Sequence, residues 1–261
     1  MLAYAFMRHA FAASAVVALI AGPVGYFLVL RGQTFAGHAL SHVGFTGATG
    51  GVLAGISPFF GMVAATLLAG LGMGAFGAQL AERDVAIGMV LAFALALGML
   101  FLHFFTAYAT AATALLFGNV LAVDIATVWL LLALGLGSIA ALAVISRPLL
   151  LASLQPELAE AKGVSLRLYA VLFMAIVAIV TAECAEIVGV LLVFTLMVGP
   201  AAAASRLTRH VLSGVALAAA LALAEAWGGL SLAFYTDWPS SFSITLLSTL
   251  VYLAAAALAS R

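Results

Sequence analysis

The sequence predicts an all-α protein, a polytopic transmembrane helical bundle of eight to ten spans, and three observations predict it. The 261-residue chain is 67% hydrophobic and only 7% charged, where a soluble domain carries roughly a quarter of its residues as Asp, Glu, Lys and Arg. Its mean hydropathy of +1.31 leaves too little polar surface to coat a water-soluble globule, so the apolar excess must face lipid. The apolar runs are unbroken for about 17 to 25 residues, the length that crosses a hydrocarbon core of ~30 Å as helix. Spanning by strands would need short alternating segments between polar turns, and nothing here alternates.

The first run follows Arg8 as the core of a signal peptide follows its basic residue. It continues for about 20 residues to Arg31 without an A-x-A cleavage site, and is read as a retained first helix. Spans are predicted at 11–30, 39–56, 59–80, 86–107, 126–146, 168–182, 187–204, 211–234 and 242–259. The stretch 108–125 is apolar but broken by Gly118, Asn119 and Asp124, which suits either a re-entrant helix or a partial crossing. Arg83, Arg147, Lys162, Arg167, Arg206, Arg209 and Arg261 mark cytoplasmic segments, and "FYTDWPSS", with Asp237 and no cation, marks an outer one. Threading the spans places Arg31 inside and leaves Arg8 outside, against the rule. Gly44, Gly47 and Gly51, and likewise Gly70, Gly74 and Gly77, recur at the spacing that lets helix backbones approach in lipid, for tight packing or for sliding.

The same composition removes whole classes of function. A formal net charge of zero excludes a basic surface for nucleic acid. One cysteine, Cys184, excludes an internal disulfide or a cysteine cluster and is read as a small apolar filler. There is no long hydrophilic segment to form an ATPase or a soluble binding domain. The whole chain, 1–261, is read as a single transmembrane domain without a catalytic triad, phosphate loop or redox centre, hence no enzyme, and with no permanently bound cofactor.

The longest polar stretch is "SRPLLLASLQPELAEAKGVSLRLY", residues 146–169. Its middle reads as a short capped helix: Pro156 suits the first position, Glu157 and Glu160 fall toward the positive end of the dipole, Lys162 toward the negative end, and Gly163 supplies a left-handed stop. Leu154, Leu158 and Ala161 would offer an apolar ridge to a groove on another subunit.

In "LRGQTFAGHALSHVGFTG", His38 and His42 are four residues apart, on one face of a helix and one turn apart, while Ser41 points elsewhere. Imidazole is the commonest protein ligand for zinc and also suits iron, nickel and copper, whereas manganese prefers more oxygen. Two ligands do not complete a tetrahedral site. Completion would come from the same helix of a second copy across a two-fold axis, or from carboxylates on other spans. Glu183 and Glu186, near the outer face, are candidates for handing metal inward. Glu225, inside "LALAEAWGGL", is a further intramembrane candidate. His103 and Asp124 are possible entry groups, and His9 and His210 read as interfacial.

Five segments together resemble the membrane subunit of ATP-binding cassette importers for zinc, manganese and related divalent metals, over nearly the whole chain. "FLVLRGQTFAGHALSHVGFTGA" resembles the family form R-G-x-x-x-x-G-D-A-[LI]-S-H-A, and "LLFGNVLAV" resembles L-F-G-[ND]-[IL]-L-[AV]-V. "SLQPELAEAKGVSLRLY" resembles a loop with a D/P-E-x-A-x-x-x-G core, "IVGVLLVFTLMVGPAAAA" resembles its V-G-x-[LI]-L run ending in P-A-A, and "FYTDWPSSFSITLLST" is a weaker match to its Y-x-x-[DN]-x-P ending. The resemblance implies a multi-pass permease of the bacterial cytoplasmic (inner) membrane. It would act as a homodimer with two ATPase subunits, which hydrolyse the ATP, and an extracytoplasmic metal-binding protein, moving metal inward by alternating access. It implies that residues 155–165 form the coupling helix, with Pro156, Glu157, Leu158, Ala161 and Gly163 in the ATPase contact. Only His42 is carried over as a ligand, because the family's Asp stands where this chain has His38. That exchange makes the site softer and less negative, and so favours Zn²⁺ over Mn²⁺ or Fe²⁺. An ion-coupled secondary metal transporter and a permease for a metal chelate are the alternative readings. An intramembrane hydrolase is disfavoured, since no H-E-x-x-H accompanies the pair.

Overall fold

The computed structural model describes residues 1, 3–75, 80–105, 115–118 and 120–259. All regular structure in them is helical. In chain order the helices are α1 (Ala5–Leu30), α2 (Thr34–Leu53), α3 (Pro58–Ala75), α4 (Leu80–His103), α5 (Ile125–Leu154), α6 (Pro156–Ala161), α7 (Leu166–Val188), α8 (Val193–Leu207), α9 (Val211–Thr236) and α10 (Ser240–Ala259), with short 3₁₀ turns at Val120–Ala122 and Val190–Leu192.

Each of the nine predicted spans is found as a helix, but among the described residues fewer than eight are both long and apolar enough to cross by that measure. Among the described residues, seven helices have both the length and the hydropathy to cross a membrane. Helix α2 has 20 residues, but its histidines, threonines and glycines dilute its apolarity. Helix α8 has only 15, because Gly189 ends α7 and the chain makes a 3₁₀ turn before resuming. Residues 108–114, Asn119, Gly77 and Arg261 lie outside the described residues. What is described of the 108–125 stretch is not a crossing: Gly118 turns at φ 71°, Val120–Ala122 makes one 3₁₀ turn, and Asp124 caps α5.

Two helices form the centre. The most apolar windows of α1 and α7 are each 72% buried by protein, against 22–33% for α3, α4, α5, α9 and α10, which therefore form the lipid-facing ring. Helix α2 packs on α3, α4, α7 and α8, so four helices stand between its polar side chains and lipid. Its hydroxyls are satisfied locally or across the contact: Thr49 donates to the Phe45 carbonyl at 3.0 Å, and Thr46 donates to the Ala94 carbonyl of α4.

Small residues decide how closely these helices approach. A side chain on Gly47 would run into the Gly61 carbonyl of α3, and one on Gly61 into the Gly47 carbonyl. A Cβ on Gly70 would stand 2.8 Å from the Met174 carbonyl, and one on Gly74 2.6 Å from Val171 Cα, so the second glycine series seats α3 on α7. Gly44 is different: a Cβ there would make an ordinary 3.5 Å contact with Thr66. In lipid, where no hydrophobic drive pulls helices together, such backbone contact supplies much of the association energy. Replacing Gly61 by Val should separate α2 from α3 and cost about 1–3 kcal/mol. Thermal unfolding of the detergent-purified chain measures it, with Gly72→Val as the control because a Cβ there meets nothing within 4 Å.

Candidate metal path

The chain reaches α2 through a tight corner. Arg31 caps the C-terminus of α1, Gly32 turns at φ 62°, and the Gln33 N–H donates back to the Leu28 carbonyl at 2.9 Å. This is a Schellman-type closure that only glycine makes without strain. Helix α2 starts at Thr34, so His38 lies one turn in and His42 a turn further.

The two imidazoles meet. Their ring centroids are 4.8 Å apart with the planes at 89°, close enough for one nitrogen of each to reach a single ion at the usual about 2.0–2.1 Å. Phe194, at the start of α8, stands edge-on to His38 with centroids 5.7 Å apart. His42 is only 7% exposed, and its Nδ1 is buried with no hydrogen-bond partner among the described residues. A buried imidazole nitrogen normally has a partner, so this one is available to a passing ligand. His38 is half-buried and faces more open space. Ser41 does point elsewhere: its hydroxyl donates to the His38 carbonyl at 2.7 Å.

The carboxylates do not join the pair. Among the described residues no three His, Cys, Asp or Glu side chains come together as a group able to hold an ion. Glu183, near the end of α7, is wholly buried, and neither of its oxygens has a hydrogen bond among the described residues. Its Oε2 is packed toward Gly135 of α5, where an added Cβ would lie 3.6 Å away. Glu225 of α9 is 2% exposed and faces Ser248 of α10, whose hydroxyl donates to the Thr195 carbonyl at 3.3 Å.

Glu186 has a different setting. With Asp124 it lines a cavity of about 360 Å³, shared with Pro58, Met62, Gly118 and Thr127, at the end of the bundle away from Arg31. Asp124 caps α5 by accepting from the Thr127 N–H at 2.8 Å. The Thr127 hydrogen bonds hold the Asp124 carboxyl below the usual carboxylate range. The cavity mouth therefore carries an anion at neutral pH. His103 is exposed at the end of α4, His210 is exposed before α9, and His9 lies near enough to Asp124 for their charges to interact.

At the opposite end, α6 runs Pro156–Ala161, shorter than the 155–165 read from the sequence. Pro156 takes the first helical position, Glu157 the first turn, and Gly163 turns at φ 77°. Leu154, Leu158 and Ala161 are exposed, while Ala159 is buried against the bundle.

The model of the ABC 3 transport family matches residues 3–259. The chain belongs to that family. A manganese transport system membrane protein, MntC, from Halalkalibacterium halodurans is 30% identical over 253 residues, covering 97% of this chain and 87% of that protein. The high-affinity zinc uptake system membrane protein ZnuB of Haemophilus influenzae is 26% identical over 242 residues, covering 91% of this chain and 92% of that protein. The solved structure of PsaBC from Streptococcus pneumoniae in complex with Fab superposes with a TM-score of 0.86 at 26% identity, covering 97% of this chain and 91% of that one. This family member is thus a multi-pass permease subunit of the bacterial inner membrane and not an enzyme; ATP hydrolysis belongs to a separate subunit.

Two contacts escape sequence reading. Phe194 against His38 and Arg31 against Ser153 join residues 156 and 122 positions apart, and no local pattern announces them. Glu183 also makes a prediction of its own. A buried carboxylate without hydrogen bonds costs stability, about 1–3 kcal/mol for an unsatisfied polar group. Glu183→Leu should therefore raise the thermal unfolding temperature of the purified chain, and lower transport if the carboxylate is kept for function.

Proposed function

We propose that this chain is the permease of an ATP-driven importer of divalent metal ions, with zinc the preferred cargo. It works as a homodimer with two ATPase subunits and an extracytoplasmic metal-binding protein. The observation that carries this reading is the pair His38 and His42, two imidazoles within reach of one ion on a helix shielded from lipid. Relatives named for manganese and for zinc transport support the class of cargo. Between the two metals, the donor type supports zinc: an all-nitrogen pair suits it, while manganese prefers oxygen. The same two imidazoles from a second copy would complete a tetrahedral set.

The remaining parts take places along one route. Asp124 and Glu186 hold an arriving cation loosely at the outer cavity, and the imidazole pair takes it from there. The exposed ridge of Leu154, Leu158 and Ala161 on and beside α6 docks the ATPase, whose closure moves the permease between outward and inward states. No bond is made or broken on the metal beyond exchange of its ligands.

In cells lacking other zinc importers, His38→Ala and His42→Ala should each lower zinc uptake by at least the roughly 10-fold that loss of even an outer-shell metal partner costs. Unchanged zinc accumulation in the double variant would overturn the site. His38→Asp restores an oxygen and a negative charge, so manganese should compete better with zinc in that variant. An unaltered preference would show that this position does not set selectivity. Asp124→Asn with Glu186→Gln should raise the half-saturating zinc concentration and leave the maximal rate alone, as expected for entry groups rather than transport ligands; a fall in the maximal rate with no change in half-saturation would contradict that role.

A further inference from the structure

The α1–α2 corner carries a cation that the metal path does not use. Arg31 donates through Nη1 to the Ser153 hydroxyl at 2.5 Å, across 122 positions of sequence, and its guanidinium carbon lies 5.4 Å from the centroid of the Phe173 ring. Ser153 is in the last turn of α5, just before α6; Phe173 is two turns into α7, just after it. The guanidinium therefore touches both limbs of the loop that carries α6.

Elsewhere the corner and that loop stand apart. A cavity of about 850 Å³ lies between them, lined by Arg31, Gln33, Ser153, Pro156, Glu160 and Arg167 among others. Helix α6 itself packs on α5 and α7. The side of Arg31 facing α2 is stiff: Gln33 is 6% exposed, its N–H is bonded to Leu28, and its carbonyl accepts from Gly37 at 3.2 Å. A displacement of Arg31 is thus carried into the first turn of α2, directly before His38, with little slack in between.

We propose that Arg31 is the positioning residue that converts movement of the α6 loop into movement of α2 and its histidine pair. It acts as a strut: the forked guanidinium holds the end of α5 and the face of Phe173 at once, which a lysine ammonium cannot do. The proposal rests on the reading that α6 docks an ATPase, and it adds the part that transmits the ATPase stroke to the metal ligands.

The test uses the complete complex of permease, ATPase and binding protein in liposomes, reading zinc transported per ATP hydrolysed. In Arg31→Gln the ATPase should still co-purify and basal hydrolysis should persist, while zinc per ATP falls about tenfold, inside the ~5–150-fold range of ordinary site-to-site couplings. Arg31→Lys should rescue only part of it. Ser153→Ala removes one hydroxyl and keeps the aromatic contact, so it should give a smaller loss, and the double variant should be no worse than Arg31→Gln alone because both act through one contact. Wild-type zinc per ATP in Arg31→Gln, or additive losses in the double variant, would overturn the strut. If Arg31→Gln does not assemble, Ser153→Ala decides: unimpaired coupling there overturns the proposal. Leu158→Asp separates this from the docking reading. ATPase that still co-purifies with Leu158→Asp defeats the docking role of α6, whereas loss of the ATPase there with normal coupling in Arg31→Gln defeats only the strut.

Discussion

A helix bearing two imidazoles can lie within a bilayer only where protein replaces lipid around it, and much of this fold is arranged to enclose α2. Four helices pack on it, and the Gly47–Gly61 approach brings α3 as near as two backbones can come. Thr46, Thr49 and Ser41 return their protons to carbonyls of α2 or α4, so they add no unmet polar cost. His42 Nδ1 is the exception, a buried nitrogen on the same helix with no partner among the described residues. In a medium where unmet polar groups are costly, an exception at the closest approach of two ligand-type side chains is the observation on which the proposed metal site rests.

The carboxylates sort by environment. Asp124 and Glu186 meet in an open cavity, Glu183 is sealed between α7 and α5, and Glu225 faces a serine across α9 and α10. A proton relay of the kind a secondary transporter needs would link these groups in a chain. Glu183 and Glu225 lie on different helices, and among the described residues neither forms part of a larger ionisable cluster. The arrangement suits an entry site and isolated buried acids better than a relay, which agrees with membership in a family driven from a separate subunit.

Much of this was legible in the sequence because the signals are local. Runs of apolar residues located the nine long helices; Pro156 and Gly163 marked the start and the stop of a short helix, which is shorter than 155–165; and a four-residue interval gave the histidine contact. What escaped depends on distant partners or on dilution of the apolar signal. Among the described residues fewer helices pass on length and apolarity than the sequence spans suggested, because α2 is polar yet enclosed and because the turn at Gly189 is invisible to a window that averages across it. That turn exists because Gly118 meets Gly189 backbone to backbone, each at positive φ, in a pair 71 positions apart. The sequence places Glu183 near the outer end of a span but says nothing of its burial, which follows from the packing of α5 against α7.

The incompleteness of the histidine site has a physical meaning of its own. A resident zinc site closes all four tetrahedral positions within one chain and holds its ion for the life of the fold. In the proposed site one chain contributes two nitrogens, and no third ionisable ligand stands beside them among the described residues. Such a pair binds an ion firmly only while something else supplies the remaining positions, and on the proposed dimer axis that is the same pair from the other copy. Rotating the two α2 helices apart would remove half of the ligands at once, without any proton transfer or chemical step. Under the proposed function, release follows from geometry, and the ATPase rather than the ion supplies the energy that separates the helices.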